Sequence, residues 1–307
     1  MRIGVDLGGT KIEILALDES GAILLRERVS TPQEEYQAVI RAIGDLVLTA
    51  EKKLGGRGSV GVAIPGTISP QTGLVKNANS THLIGHPLDR DLAAALGRLV
   101  RVANDANCFV LSEASDGAAA GDDVVFGIIA GTGVGGGVCV GGRLLVGAHA
   151  IAGEWGHNSL PAPRDGEVTG SACYCGRSGC IETWCSGPAV MAQYERATGR
   201  RVMATDIAGA AAAGDAAAVR VMDDWFDRMA RAIASVVNIL DPDAIVMGGG
   251  LSKIEALYTE LPPRIERYAF HPEGTTKIVR NRHGDSSGVR GAAWLWAPGE
   301  VDAGLPR

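Results

Sequence analysis

Short apolar runs, each closed by glycine, set the rhythm of this chain. Ile3 to Val5 runs into Asp6 and Gly8-Gly9, and Ile12 to Leu17 follows at once. That pattern predicts strand, tight turn, strand, with a third strand over 22–29 after the turn Asp18-Glu19-Ser20-Gly21. Over 36–54 the apolar residues Ile40, Ile43, Leu46, Val47 and Ala50 recur at helical spacing. A buried strand over 60–64 closes at Pro65-Gly66. A helix over 88–96, a strand over 100–103 and a helix over 106–119, opened by Asn104-Asp105, complete a β-β-β-α-β-α-β-α unit.

After Gly121-Asp122-Asp123 the pattern restarts. A strand over 124–130, the turn Gly131-Thr132-Gly133, a strand over 138–140 and a third near 143–146 repeat the opening motif, as in a duplicated fold. The expected division is an N-terminal α/β domain over 1–120 and a C-terminal α/β domain over 121–285. A cysteine-rich insert over 153–185 belongs to the second. A long helix over 219–240 stops at Asp241-Pro242-Asp243, and a strand over 244–247 ends in Gly248-Gly249-Gly250. A final helix over about 286–297 is expected to pack back on the first domain.

Glycine is the compositional outlier, 43 of 307 residues, and it clusters after strand-like runs, where α/β proteins place phosphate-binding turns. Hydrophobic content of 46% fits a globular protein, and no apolar run has membrane-spanning length, so a cytoplasmic protein is expected. A net charge of −6 argues against nucleic acid as a partner.

The sharpest chemical signal is His157, Cys173, Cys175 and Cys180, spaced H-x15-C-x-C-x4-C. Three thiolates and an imidazole suit Zn2+ in a closed tetrahedral site, which is structural rather than catalytic. A C-x-C pair is too close for an easy disulfide with itself. Cys108, Cys139 and Cys185 sit in apolar or helical contexts and read as core thiols. The clamp would fix two carboxylates, Glu154 just before His157 and Glu182 just after Cys180, that can hold sugar hydroxyls.

Asp6-Leu7-Gly8-Gly9-Thr10-Lys11 joins two strands and reads either as a plain hairpin turn or as a phosphate cradle, with Asp6 placed to hold Mg2+ through water. Gly131-Thr132-Gly133-Val134-Gly135-Gly136-Gly137 repeats that chemistry in the second half, and Gly248 to Gly250 reads either as a flat surface for adenine or as plain helix–strand packing. Asp105 reads either as a helix N-cap or as a general base facing a cleft. The company of the phosphate turns favours the base.

These motifs come in the order that marks the ROK family (repressor, open reading frame, kinase), which the chain resembles from residue 1 to about 296. Within that family the stretches 75–81, 103–108, 237–243 and 283–296 are similar to bacterial fructokinases (mannofructokinases). The resemblance implies an α/β actin-like ATPase (ribonuclease H-like) fold, two domains around a cleft, with a zinc-binding loop. It implies ATP and Mg2+ as cosubstrates, structural Zn2+, and a homodimer. The expected reaction is phosphorylation of the 6-hydroxyl of fructose or mannose; glucose, N-acetylglucosamine and N-acetylmannosamine are the alternative acceptors. Carried over, Asp105 is the catalytic base. Asn79, Asn104, Glu154, His157 and Glu182 hold the sugar. Asp6, Gly8, Gly9, Thr10, Lys11, Gly131, Thr132 and Gly133 meet the phosphates and Mg2+, and Gly249 and Gly250 lie near the nucleotide. A sugar-responsive repressor is the rival, disfavoured because Met1 already starts the first strand and leaves no room for a DNA-reading region. The loop 158–172 matches no motif and is expected to cover the sugar site.

Overall fold

The computed structural model describes residues 1–32, 35–78, 80–270 and 276–300. The first half opens with three strands in a meander, β1 (Arg2–Leu7), β2 (Lys11–Leu17) and β3 (Ile23–Ser30). Helix α1 (Tyr36–Leu54), strand β4 (Ser59–Ile64), a small hairpin of β5 (Thr67–Ile68) and β6 (Val75–Lys76), helix α2 (Leu88–Leu96), strand β7 (Val100–Asn104) and helix α3 (Asp105–Ser115) follow. The second half repeats the meander with β8 (Val124–Ala130), β9 (Val134–Val140) and β10 (Arg143–Leu144). It continues through α4 (Ile181–Cys185), α5 (Gly187–Thr198), α6 (Ala204–Ala212), α7 (Ala216–Leu240), β11 (Ala244–Gly248), α8 (Leu257–Ile265), β12 (Ile278–Arg280) and α9 (Ser287–Trp294).

The two five-stranded sheets have the same order, β3-β2-β1-β4-β7 and β10-β9-β8-β11-β12. In each, three antiparallel strands are extended by two parallel ones, so the internal repeat read from the glycine turns is a repeat of topology. β4 carries no exposed residue, as expected of a strand covered on both faces. One apolar core lies between the first sheet and α1 and α2, another between the second sheet and α4 to α8. No described helix is long and apolar enough to cross a membrane.

α3 and α9 pack against each other, and α9 also crosses β1 and β4 of the first sheet. This needs backbone where a side chain would ordinarily stand. A Cβ on Gly4 would meet the Val289 carbonyl at 2.0 Å, one on Gly61 the Ala292 carbonyl at 1.9 Å, and one on Gly291 the Cys108 carbonyl at 1.6 Å. Side chains then lock the helix in place. The Arg2 guanidinium lies 3.8 Å over the Trp294 ring, and Trp296 Nε1 donates to the Val60 carbonyl at 2.7 Å.

α3 ends at Ser115, earlier than the apolar pattern predicts, because Glu113 captures the chain beyond it. The Glu113 carboxylate accepts from the backbone N–H groups of Ala118, Arg282 and His283 and from the Ser287 hydroxyl. Next to it, burial raises the Asp116 carboxyl, but hydrogen bonds from His283 and Arg290 outweigh that and pull it down to about 2. Both crossings between the halves, after α3 and before α9, are thus tied to two buried or half-buried acids.

Replacing Gly291 with alanine is expected to cost at least about 3 kcal/mol in urea denaturation, since the fixed Cys108 carbonyl must move. Gly44, in α1 with open space around it, is the control: Gly44→Ala is expected to be neutral or to stabilise by up to about 1 kcal/mol. Equal effects at the two positions would remove the close-approach argument.

Candidate functional site

The glycine turns and the acids gather at the carboxyl ends of the parallel strands, where open α/β sheets place ligands. Asp6 lies near the end of β1, and the hairpin that follows closes through Gly8 N–H to the Lys11 carbonyl at 3.0 Å. Gly9, Thr10 and Lys11 are exposed there. The turn Gly131-Thr132-Gly133 leaves β8, with the Gly131 N–H on the Gly133 carbonyl at 2.9 Å. Beside it, β11 ends at Gly248 and runs into Gly249 and Gly250; a Cβ on Gly131 would stand 3.5 Å from the Gly250 nitrogen. Gly249 has a positive φ of 78°, and a Cβ there would meet the Ala130 carbonyl at 2.4 Å. The second and third glycine clusters therefore form one continuous backbone surface, to which α5 is joined by Gly187 N–H donating to the Gly131 carbonyl at 2.8 Å.

Gly135, Gly136 and Gly137 are not part of that turn. They lie within β9, where they admit the Gly153-Glu154-Trp155-Gly156 segment and α3. A Cβ on Gly136 would meet the Trp155 ring at 2.7 Å, and one on Gly137 the Ala106 carbonyl at 2.8 Å. Trp155 Nε1 donates to the Gly135 carbonyl at 3.0 Å, and Gly156 lies against the Val134 carbonyl. Glu154 and His157 are held by this contact with β9.

Asp105 is the first residue of α3. The N-cap is Asn104, whose side-chain oxygen accepts from the Ala106 N–H at 2.9 Å; the Asp105 Oδ1 takes the same N–H at 2.8 Å. The amide of Asn104 also supports the Asp105 carboxylate. Asn104, expected to hold sugar, is thereby engaged in capping and in positioning Asp105. Solvent reaches Asp105, yet protein surrounds it on most sides, and that desolvation raises its carboxyl above the ordinary range.

The charges of the acids act on one another. Burial, then the Asp105 charge, then Glu13 push Asp6 up to about 6, with Lys11 opposing. Burial raises Glu154 as well; His157 opposes, and Asp105 and Glu182 add to the rise. Glu182, on α4, reaches the second glycine turn: its Oε2 accepts from the Val134 N–H at 3.0 Å, and a Cβ on Gly133 would lie 2.5 Å from that oxygen. Asp6, Asp105, Glu154, His157 and Glu182 thus share one site. Asn79 lies outside the described residues.

The four metal-ligand candidates converge. One ligand atom from each of His157, Cys173, Cys175 and Cys180 lies within 4.8 Å of the others. Cys175 and Cys180 sulfurs are 3.6 Å apart, and Cys173 Sγ is 3.5 Å from His157 Nδ1. A disulfide needs about 2.05 Å. A tetrahedral zinc with Zn–S of about 2.3 Å has S–S edges of about 3.7 Å, so the spacing and donor chemistry fit that ion. Cys175, held by the Arg177 backbone N–H, titrates low, at about 6. Cys108, Cys139 and Cys185 are buried free thiols, as their contexts predicted.

Two features escaped the sequence. Lys76 Nζ, on the β5–β6 hairpin, donates to the His149 carbonyl at 2.7 Å, bridging the two halves, and its charge reaches Glu154. The other is the anchoring of the 158–172 loop on α7. Glu167 accepts from Arg228 Nε at 2.7 Å and from Arg231 Nη2 at 2.9 Å, while Arg164 reaches Asp227 at 2.8 Å. Arg231 also donates to the Pro161 and Ala162 carbonyls at 2.9 and 2.8 Å. The only sequence signal was Arg228 and Arg231 within the apolar pattern of α7.

The sequence profile of the ROK family matches residues 2–298. An N-acetyl-D-glucosamine kinase of Yersinia pseudotuberculosis (serotype O:1b, strain IP 31758) is 40% identical, over 96% of this chain and 98% of its own length. The crystal structure of a ROK hexokinase from Thermus thermophilus superposes with a TM-score of 0.84 at 33% identity, covering 95% of this chain and 96% of that one. A ROK family glucokinase from Streptomyces griseus, in complex with glucose and AMPPNP, gives 0.76 at 29% identity, covering 96% and 98%. The architecture is the α/β actin-like ATPase fold that the sequence led us to expect.

Asp6 gives a test independent of activity. Unfolded, it would lose its proton near 4; folded, near 6. Its ionisation cost therefore builds up between those values and is present in full above about pH 6, on the order of 2–3 kcal/mol. Asp6→Asn is expected to raise the thermal unfolding temperature at pH 8 and to lose that advantage below about pH 4. A variant no more stable than wild type at pH 8 would show that Asp6 carries no such cost.

Proposed function

The chain belongs to the ROK family, and we propose that it is an ATP-dependent kinase that phosphorylates the 6-hydroxyl of N-acetyl-D-glucosamine. The observation that carries the kinase reading is the meeting of Asp105, Glu154, His157 and Glu182 beside two glycine turns. The acceptor follows from the full-length similarity to N-acetyl-D-glucosamine kinases. That similarity overturns fructose, which the resemblance to bacterial fructokinases had suggested. The wording of short motifs tracks the shared phosphate and zinc chemistry, whereas acceptor choice depends on the whole wall of the site.

In this reading the triphosphate lies along the exposed hairpin Gly8 to Lys11 and the turn Gly131 to Gly133, with the adenosine end toward Gly249 and Gly250. Backbone N–H groups in such turns stabilise charge on the transferring phosphoryl group. Asp6, with its raised proton affinity, is suited to a hydrated Mg2+, which would neutralise phosphate charge. Glu154, Glu182 and His157 orient the sugar. Asp105 accepts the proton of the attacking hydroxyl, and its raised proton affinity, from desolvation, strengthens it as a base. Glu182 links the steps, since the carboxylate that meets the sugar also holds the Val134 N–H of the phosphate turn. Zn2+ in the His157–Cys173–Cys175–Cys180 cluster would fix the segment carrying these groups, with no vacant ligand position.

Two measurements test this. ADP release on a panel of hexoses should give a kcat/KM for N-acetylglucosamine at least about tenfold above glucose, N-acetylmannosamine and fructose. A best rate on another hexose would displace the acceptor and keep the kinase. Asp105→Asn should bind the sugar within a few-fold of wild type and lose about 10²–10⁴ in kcat. Wild-type kcat should fall on the acid side at a pH above the ordinary carboxylate range, because the Asp105 carboxyl is raised. Near wild-type kcat in the variant would exclude Asp105 as the base.

A further inference from the structure

His157 has two ring nitrogens with different neighbours. Nδ1 lies 3.5 Å from Cys173 Sγ, within the four-donor cluster. Nε2 lies 2.9 Å from the Tyr174 hydroxyl, and the two rings stand edge to face, 86° apart, with centroids 5.0 Å from each other. With Nδ1 given to a metal, a neutral imidazole carries its proton on Nε2, so Nε2–H would donate and the Tyr174 oxygen accept. That N–H is the one polar group His157 has left for a sugar.

Tyr174 sits between Cys173 and Cys175, so the cluster that fixes His157 also fixes the tyrosine backbone. The residue is nevertheless 75% exposed. Its hydroxyl lies within the fields of both Glu182 and Glu154. An aromatic ring thus borders His157, with Glu154 and Glu182 within electrostatic reach, and any sugar oxygen reaching His157 Nε2 must replace its hydrogen bond to Tyr174. An acetamido group matches this surface in both parts. Its carbonyl oxygen accepts from Nε2–H, and its methyl covers the ring face; a plain hydroxyl supplies the first contact and not the second.

We propose that Tyr174 is a specificity-determining residue of the acceptor site. Its hydroxyl engages His157 Nε2–H and yields it to a sugar oxygen, and its ring is the wall against which the acetamido methyl packs. This rests on the N-acetylglucosamine reading above and assigns one residue of its specificity.

The test uses the full-length zinc-loaded enzyme, with sugar Kd from calorimetry, steady-state kinetics, and zinc per chain from elemental analysis. Tyr174→Ala should raise Kd and KM for N-acetylglucosamine about tenfold, with the loss in KM rather than kcat, and leave glucose within about twofold. Tyr174→Phe keeps the wall and should stay within about threefold of wild type for N-acetylglucosamine. Zinc stoichiometry should be unchanged in both. Equal weakening toward both sugars, unchanged binding in both variants, or zinc loss that accompanies the weakening would each overturn the proposal. The last would make Tyr174 a support for His157. Should wild type prefer a hexose without an acetamido group, the N-acetylglucosamine reading fails by itself; Tyr174→Ala is then measured on that hexose, and unchanged KM there overturns the contact as well.

Discussion

The site depends on backbone passing backbone where no Cβ fits. Gly4 and Gly61 let α9 lie directly on β1 and β4, and Gly291 lets it touch α3 at the Cys108 carbonyl. β1 ends beside Asp6 and α3 begins with Asp105, so this contact sets the separation of the two carboxylates. Gly288, in the same helix, comes within 3.6 Å of an Asp6 carboxylate oxygen when given a Cβ. In the second half, Gly136 and Gly153 do the same for the segment that carries Glu154 and His157, and Gly137 does so for α3. Glycine costs chain entropy on folding, and its use here is concentrated where an added methyl would displace a chemical group.

Bringing these acids together is electrostatically unfavourable. Asp6, Asp105 and Glu154 all hold their protons more tightly than ordinary carboxyls, and burial is the first cause in each. Lys11 and Lys76 offset only part of this. A cation near Asp6, or a hydroxyl whose proton Asp105 can take, relieves it. The destabilisation is therefore localised where ligands of matching charge would reverse it, as active sites commonly arrange.

Behind the acids stands a layered support. The cysteine cluster fixes the chain at His157 and at Cys180, the residue before α4 and Glu182. The loop between is fastened to α7 by Arg228 and Arg231 through Glu167, with side-chain exposures of 11, 2 and 7%. Charges so poorly hydrated are tolerated because each finds several partners, and Arg231 adds two backbone carbonyls to its carboxylates. Trp184 of α4 lies under the Arg228 guanidinium, 5.0 Å to the ring centroid, so the same network steadies the helix that bears Glu182.

Local rules were enough for the repeated strand–turn–strand units, the long helices and the four-donor cluster. Apolar periodicity and glycine placement act over a few residues, and the spacing of Cys173, Cys175 and Cys180 restricts them to one turn of chain. The same rules overran α3, because the Glu113 carboxylate that ends it is satisfied by Arg282, His283 and Ser287, far away in sequence. They assigned Gly135 to Gly137 to a phosphate turn, because glycine in sequence does not say whether its missing Cβ makes room for a ligand or for Trp155. The Lys76 bridge to His149, the grip of α7 on the 158–172 loop and the Tyr174 hydroxyl on His157 were settled by tertiary packing. The residue types that fix a phosphate turn are few and local, whereas the wall that selects one sugar is assembled from side chains whose neighbours only the folded chain supplies.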